Sequence, residues 1–147
     1  MKIKSLTIYC SSSNNLDKKY YKVTKEIAEI ISKFNLSIVY GGGNVGLMGE
    51  LARTSIKLGT NIKGIIPKFL IDKEKGFVKN IDLITVENMQ ERKKLLFELG
   101  DAFLILPGGT GTLEELIEVI SSKKLKLHNK PIVFLNFDNF WDPLFDQ

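Results

Sequence analysis

The chain has 147 residues, of which 44% are hydrophobic and 26% charged, and this composition predicts one globular domain with a substantial core. The formal net charge of +4 would suit nucleic-acid binding, but the lysines are dispersed without interleaved aromatic residues, so no nucleic-acid partner is expected. The single cysteine cannot form an internal disulfide bond, and no apolar run suits a signal peptide or a membrane span, so we expect a cytoplasmic protein without a membrane partner.

Strands and helices are predicted to alternate along the whole chain. The strands are expected at residues 6–10, 37–40, 61–66, 82–86, 102–106 and 132–135. The helices are expected at residues 16–34, 46–58, 89–99 and 113–124, with a helix start at 142–147. This β–α–β repetition predicts a single-domain, Rossmann-like α/β fold: a doubly wound parallel sheet in three layers, with helices on both faces.

Two glycine-rich segments each follow a predicted strand and precede a predicted helix. They are YGGGNVG at residues 40–46 and PGGTGT at residues 107–112. Glycine lets several backbone N–H groups approach an anion, and the following helix N-terminus adds a positive potential, so such loops bind phosphate. Either loop alone could serve packing only. Because parallel strands bring both loops to one edge of the sheet, the pair predicts one shared phosphorylated ligand.

The glycine segments lack the features of the commonest nucleotide sites. Neither ends in the Gly-Lys-Ser/Thr of an NTPase P-loop. Gly41, Gly43 and Gly46 spell G-x-G-x-x-G, but about 20 residues further on the chain reads NIKGIIPK, without the acid that binds a dinucleotide ribose. A smaller phosphorylated ligand is therefore favoured. No cofactor is expected, and Cys10 and His128 alone form no metal-ligand cluster.

Four segments of the chain resemble the LONELY GUY family of Rossmann-like proteins, often labelled lysine decarboxylases: GGGNVGLMG, MQERK, PGGTGTLEE and LHNKP. The resemblance extends along essentially the whole chain. Similar members hydrolyse cytokinin riboside 5′-monophosphates, which are N6-substituted adenosine 5′-monophosphates, to the free base and ribose 5-phosphate. The resemblance thus implies a hydrolase, and no lysine here has a context that suggests a Schiff base. Two alternatives stay open: a general AMP nucleosidase, and a non-catalytic protein that binds a nucleotide or a molybdenum-cofactor-like ligand.

The resemblance also assigns site residues. It implies that Glu115 activates the attacking water, that Arg92 holds the substrate, and that N–H groups of the second glycine loop bind the 5′-phosphate. The implied substrate-binding set is Gly42, Gly43, Glu74, Met89, Arg92, Lys93, Gly108, Gly109, Thr110, Gly111, Thr112, Glu115 and Ser121. Ser11 stands where the family usually has glycine, so a different geometry of the loop after the first strand is expected.

The resemblance further implies a homodimer with the active site near the interface, and a last helix beyond residue 147. Residues 1–147 are therefore expected to be one nucleotide-binding domain without that helix. Apolar surface that a partner could cover is expected around Trp141, Leu144 and Phe145.

The two proposed catalytic residues have structural interpretations as well. Thr112 and Glu115 have the spacing of a capping box, in which the glutamate would bind the threonine N–H. Arg92 shares a helix face with apolar residues and is expected to point toward the protein and to need an anionic partner. That partner is either a structural group or, as the more specific expectation, a phosphate or Glu115. The apolar stripe of the helix that carries Glu115 is expected to be Leu113, Leu116, Ile117 and Ile120.

Overall fold

The computed structural model describes residues 2–73 and 78–146, in which strands and helices alternate as predicted. The strands are β1 (Ser5–Tyr9), β2 (Ser37–Tyr40), β3 (Ile62–Pro67), β4 (Asp82–Val86), β5 (Ala102–Ile105) and β6 (Ile132–Phe134). The helices are α1 (Lys18–Lys33), α2 (Gly46–Lys57), α3 (Met89–Leu99), α4 (Thr110–Lys124) and α5 (Asp142–Phe145). Short 3₁₀ turns lie at Lys68–Leu70 and Phe137–Asn139.

The six strands form one parallel sheet in the order β4-β3-β2-β1-β5-β6, which confirms the predicted doubly wound, Rossmann-like fold. From β1 to β4 the chain adds strands on one side of β1, and then α3 carries it back so that β5 pairs with the other side of β1. Tyr9 of β1 lies beside Ile105 of β5 in this pairing. The carboxyl ends of β1 and β5 therefore flank the point at which the strand order reverses.

Two apolar cores cover the two faces of the sheet, because helices pack on both faces. Along β1 the side chains alternate between them: Ile8 and Cys10 enter the core beneath α1 and α2, and Tyr9 enters the core beneath α3 and α4. Cys10 is a buried apolar residue, as its position at the strand end predicts.

Helix α4 begins three residues earlier than the sequence pattern predicts. Gly109, with φ −103° and ψ −145°, precedes the first helical residue, Thr110, so Thr112 lies inside the first turn. The capping-box interpretation is therefore wrong, since Thr112 is not the N-cap and Glu115 Oε2 makes no hydrogen bond.

The buried face of α4 also differs from the expected stripe. Thr112, Leu116 and Val119 are the buried residues of this helix. Ile117 and Ile120 are 50% and 37% exposed, so including them in the buried stripe was wrong. The helix is rotated so that its 112–116–119 face meets the sheet, which leaves an apolar strip of α4 facing outward.

The C-terminal apolar residues are more buried than the sequence suggests. Trp141 is 3% exposed and packs edge-to-face against Phe134 and Phe140. Leu144 packs partly buried against the same core, whereas Phe145 is 50% exposed. The expected apolar surface at Trp141 is therefore absent, because α5 folds back onto β6.

The β1–α1 loop accommodates Ser11 without strain. The Ser11 N–H donates to the Pro107 carbonyl oxygen at 3.1 Å, and its Oγ accepts from the Ser13 N–H at 3.0 Å. Glycine is instead required at Gly46, whose φ is +64° and where a Cβ would lie 2.5 Å from the Ser13 carbonyl oxygen. The β1–α1 loop therefore approaches the start of α2 closely because residue 46 is glycine, and this approach does not depend on residue 11.

Gly46→Ala should destabilise the fold by at least about 3 kcal/mol, since it combines left-handed backbone strain with a clash against the Ser13 main chain. Gly59→Ala is the matched control: its φ is +76°, but a Cβ there meets no atom within 4 Å, so strain alone should cost about 1 kcal/mol. Urea unfolding followed by circular dichroism measures both. Equal losses for the two variants would contradict this account of loop packing.

Candidate active site

A cavity of about 320 Å³ opens at the carboxyl ends of β1 and β5, where the strand order reverses. In open parallel sheets this is the position at which ligands bind. The β1–α1 loop, the start of α3 and the start of α4 form its walls. The lining residues are Cys10, Ser11, Ser12, Ser13, Met48, Met89, Arg92, Gly109, Thr110, Gly111, Thr112, Glu114 and Glu115.

The N-terminal turn of α4 provides the anion-binding features of this cavity. The N–H groups of Thr110, Gly111 and Thr112 belong to the first turn, which has no acceptors within the helix, and the helix dipole is positive there. A Cβ at Gly109 or Gly111 would meet no atom within 4 Å, so the space above both residues is open. The turn can therefore accept a phosphate group directly on its backbone.

Arg92 is buried at the wall of the cavity, with 6% of its surface exposed. Its Nε donates to the Ile65 carbonyl oxygen at 3.0 Å, and its Nη2 donates to the Gly41 carbonyl oxygen at 2.5 Å. The hydrogen-bond partners of Arg92 are thus two main-chain carbonyls, one directly after β2 and one within β3. A Cβ at Gly41 would overlap the guanidinium, so glycine at this position admits the arginine.

Glu115 lies on α4 one turn beyond the open N-terminus. Its Oε2 is shielded from solvent and has no hydrogen-bond partner. The pKa of Glu115 is raised to about 7: burial is the largest cause, Glu114 and Glu118 add to the rise, and Arg92 and Lys93 oppose it. A carboxyl group with a pKa near 7 is suited to proton transfer at neutral pH.

A second cavity, of about 400 Å³, lies between α3 and α4 and shares Glu115 with the first. Its lining is partly apolar and consists of Tyr9, Gln90, Lys93, Lys94, Phe97, Glu115, Glu118, Val119, Ser122 and Leu127. Glu115 therefore stands between an anion-binding cavity and a larger groove along the same two helices.

The structure brings only part of the implied set to the first cavity. These residues line it: Met89, Arg92, Gly109, Thr110, Gly111, Thr112 and Glu115. Gly108 packs against the Thr112 side chain, Lys93 lines the second cavity, and Ser121 is exposed on α4 outside both cavities. Glu74 lies outside the described residues.

The first glycine segment is not part of the cavity wall. Gly42 and Gly43 are buried, and a Cβ at Gly42 would contact Ile66 and Leu83. Both were expected to bind the ligand, and in the described residues neither lines a cavity with Glu115. Direct contact of Gly42 and Gly43 with the ligand therefore stays a prediction, and in the structure Gly42 is closely packed.

The β1–α1 loop was missed as part of the site. Ser11, Ser12 and Ser13 line the cavity opposite the α4 N-terminus. Their position directly after the first predicted strand was a usable signal, since the loops that follow the strands of a parallel sheet lie along one edge of the sheet.

Two further observations concern metals and membranes. Within residues 2–73 and 78–146, no group of three or more His, Cys, Asp or Glu residues is placed to hold a metal ion. The helices in those ranges are all too short or too polar to cross a membrane.

Comparison with known proteins gives a consistent set of relatives. A family model described as "Possible lysine decarboxylase" matches residues 48–147. A cytokinin riboside 5′-monophosphate phosphoribohydrolase from Rhodococcoides fascians is 41% identical over 142 residues, which are 96% of this chain and 72% of the relative. An Arabidopsis thaliana protein of the same name is 38% identical over 143 residues, or 97% of this chain and 67% of the relative. The rice protein of that name is 37% identical, and the chain spans 59% of its length.

Solved structures with the same fold include molybdenum-cofactor proteins. The molybdenum cofactor binding protein from Rippkaea orientalis aligns with a TM-score of 0.76 at 19% identity, covering 99% of this chain and 83% of that one. The molybdenum cofactor carrier protein from Chlamydomonas reinhardtii aligns with a TM-score of 0.73 at 16% identity, covering 90% and 76%. At these identities the likeness establishes the fold alone.

Glu115→Gln should stabilise the protein at alkaline pH. The folded pKa of Glu115, about 7, exceeds the ordinary value of 4.5, so ionisation penalises folding increasingly as pH rises from 4.5 to 7 and fully above 7. At pH 8 the variant should gain on the order of 1–3 kcal/mol in unfolding free energy, and at pH 4.5 almost nothing.

Urea titrations at the two pH values measure this difference. Glu29→Gln, on the exposed face of α1, is the control and should show no pH-dependent gain. A Glu115→Gln variant that loses stability at pH 8 would show that the folded protein stabilises the carboxylate.

Proposed function

The chain belongs to the LONELY GUY family, and on that premise we propose that it hydrolyses the N-glycosidic bond of adenosine 5′-monophosphates, releasing the free base and ribose 5-phosphate. The observation that carries the proposal is the shielded, unpartnered carboxyl oxygen of Glu115, one turn from an open helix N-terminus. An anion site and a carboxyl group at this spacing suit a phosphorylated sugar whose anomeric carbon reacts.

The phosphate group is bound at the start of α4. The N–H groups of Thr110, Gly111 and Thr112 donate to its oxygens, and the hydroxyl groups of Ser12 and Ser13 face it from the β1–α1 loop. Holding the phosphate fixes the ribose relative to Glu115, so binding energy far from the reacting bond contributes to rate. Free nucleosides should therefore be poor substrates.

Glu115 acts in its ionised form on the attacking water. Its carboxylate accepts the water proton as the C1′–N9 bond breaks, and its negative charge stabilises the oxocarbenium-like ribosyl cation. The oxygen of the water forms the new bond to C1′, and the electron pair of the broken bond leaves with the base, which takes up a proton from solvent. Glu115 then releases the proton that it accepted to solvent. A pKa near 7 leaves a large fraction of the group ionised at neutral pH and still basic enough to take the proton.

Arg92 binds the substrate through Nη1, the guanidinium nitrogen that does not donate to a main-chain carbonyl. Two of its nitrogens are engaged by the Gly41 and Ile65 carbonyls, and Nη1 lies 3.9 Å from Met89 Sδ at the cavity wall. From there Nη1 donates to the substrate. Glu74 and Ser121 stay in the proposed substrate-binding set on the resemblance alone.

The base occupies the groove between α3 and α4, on the far side of Glu115 from the phosphate. Its apolar lining by Phe97, Val119 and Leu127 suits a purine with an apolar N6 substituent, so cytokinin nucleotides are the proposed substrates. The proposed location is cytoplasmic. A general AMP nucleosidase, the alternative, would use the same chemistry and would not prefer an apolar N6 substituent in this groove. Comparing the rates at which AMP and isopentenyl-AMP are hydrolysed distinguishes the two functions.

Glu115→Gln should lower kcat for AMP by at least about a thousandfold and leave AMP affinity within about tenfold, since it removes the base and keeps the shape of the site. Adenine and ribose 5-phosphate are quantified by chromatography, and AMP affinity by calorimetry. Glu29→Gln is again the control. Near-wild-type turnover by the Gln variant would contradict the role of Glu115, and binding of AMP without turnover by the wild-type protein would indicate a carrier.

We also propose a homodimer formed through the outer face of α4 and the segment that follows it. The large apolar residues exposed there are Ile117, Ile120, Leu125 and Leu127. Leu127 also lines the second cavity, and an exposed apolar strip of this kind suits burial against a second copy. Ser121 lies one turn from Ile117 on this face, so a partner subunit would enclose it.

Sedimentation at micromolar concentration should give a mass twice the 16.6 kDa of one chain. Ile117→Asp should yield a monomer, because it places a charge in the proposed interface. Ile30→Asp on α1 is the matched control, since Ile30 is 48% exposed and should leave the dimer intact. A wild-type monomer with full activity would refute the interface.

A further inference from the structure

Lys93 follows Arg92 on α3, but its side chain has a different set of partners. Its ammonium group forms ion pairs with Glu114 and with Glu118, the second at 3.3 Å between Nζ and Oε2. Glu114 and Glu118 are one turn apart on α4, and Glu115 lies between them in the chain. One cation of α3 thus binds two carboxylates that flank the proposed base.

In this ion-pair cluster the lysine of α3 is less exposed to solvent than the two glutamates of α4. The Lys93 side chain is 26% exposed, compared with 57% and 59% for Glu114 and Glu118. Isolated exposed pairs contribute little to stability, but one ammonium group shared by two carboxylates restrains both of them. Lys93 lines the groove between the helices and does not line the cavity at the α4 N-terminus.

The packing of helix α4 bears on the position of Glu115. Its buried residues, Thr112, Leu116 and Val119, form a narrow face, whereas Ile117 and Ile120 are exposed. A small rotation of α4 about its axis would move the Glu115 carboxyl group relative to Arg92. The ion pairs of Lys93 with Glu114 and Glu118 oppose such a rotation from the side of α4 that faces α3.

We propose that Lys93 is a positioning residue, which clamps Glu114 and Glu118, fixes the rotation of α4 and so places Glu115, without contacting the nucleotide itself. The inference rests on the proposed function of Glu115. It differs from the direct substrate contact that the family resemblance implies for Lys93, and the two roles have different experimental consequences.

The charges that face Glu115 fix the sign of the expected effect. They are Arg92 and Lys93 on α3 and Glu114 and Glu118 on α4, with the Tyr9 hydroxyl facing it from β1. The Lys93 cation lowers the pKa of Glu115, whereas the two flanking carboxylates raise it. Removing Lys93 leaves both carboxylates unneutralised and should raise the Glu115 midpoint, whereas removing both carboxylates should lower it.

The test is a ¹³C NMR titration of glutamate side-chain carboxyl groups in the full, ligand-free chain, with Glu115→Gln identifying the Glu115 signal. Lys93→Met should raise the Glu115 midpoint by at least about half a pH unit, and Lys93→Arg should keep it near the wild-type value. Lys19→Met is the matched control, because Lys19 pairs with Asp138 at 2.5 Å far from this site and its loss should leave the midpoint unchanged.

A second measurement separates positioning from substrate contact. Calorimetry should give Lys93→Met an AMP affinity within about threefold of wild type, while its kcat falls at least about threefold at pH 6.5 and stays below the wild-type plateau at higher pH, because a misplaced Glu115 is less effective even when ionised. An unchanged Glu115 midpoint together with a tenfold or larger loss of AMP affinity would overturn the proposal. If Lys93→Met does not fold, the Glu114→Gln/Glu118→Gln double variant is titrated instead. The proposal predicts that its Glu115 titration midpoint falls below the wild-type value, and an unchanged midpoint would overturn it.

The titration does not depend on turnover, so its outcome is separate from the fate of the proposed function. A wild-type protein that binds but never cleaves AMP would refute the hydrolase proposal and leave the titration result intact. If the protein hydrolyses AMP but its Glu115 titration midpoint is the same in Lys93→Met as in wild type, only the positioning role of Lys93 is refuted.

Discussion

One carboxyl oxygen of Glu115, Oε2, is shielded from solvent, and the two cations beside this carboxyl group both have other partners. Arg92 donates to the Gly41 and Ile65 carbonyls, and Lys93 binds Glu114 and Glu118. Neither cation neutralises Glu115 directly, and Oε2 has no hydrogen bond. Burial therefore dominates, and the pKa of Glu115 rises to about 7 instead of falling as it would in a salt bridge.

The fold supplies this environment through its reversal of strand order. Because β5 returns to the side of β1 opposite β2, the start of α4 lies across from the β1–α1 loop at one edge of the sheet. Glycine then permits two close approaches: Gly41 admits the Arg92 guanidinium, and Gly46 admits the β1–α1 loop. Residues of the glycine-rich segment after β2 thus pack against Arg92 and the β1–α1 loop, and residues of the segment after β5 line the cavity.

Much of this arrangement could be predicted from the sequence, because apolar periodicity and the order of strands and helices determine a parallel sheet and the edge at which its loops meet. The rotation of α4 could not be predicted, since Ile117 and Ile120 continue the apolar pattern and only tertiary packing leaves them outside. The hydrogen-bond partners of Arg92 could not be predicted either, because they are main-chain carbonyls, which every residue type carries. Thr112 and Glu115 match a capping box by spacing alone, and the early helix start at Thr110 removes that interpretation.

The central claim is that the ionised form of Glu115 carries out the chemistry, and the pH dependence of kcat at saturating AMP tests it most directly. The bound phosphate adds negative charge near Glu115, so the rate should rise with pH through a midpoint at or above the free-protein value of about 7 and then level off. A rate that falls above that pH would assign Glu115 the role of an acid. A rate that stays constant from about pH 5 to about pH 9, a range that extends to both sides of this pKa, would show that Glu115 takes no part in proton transfer.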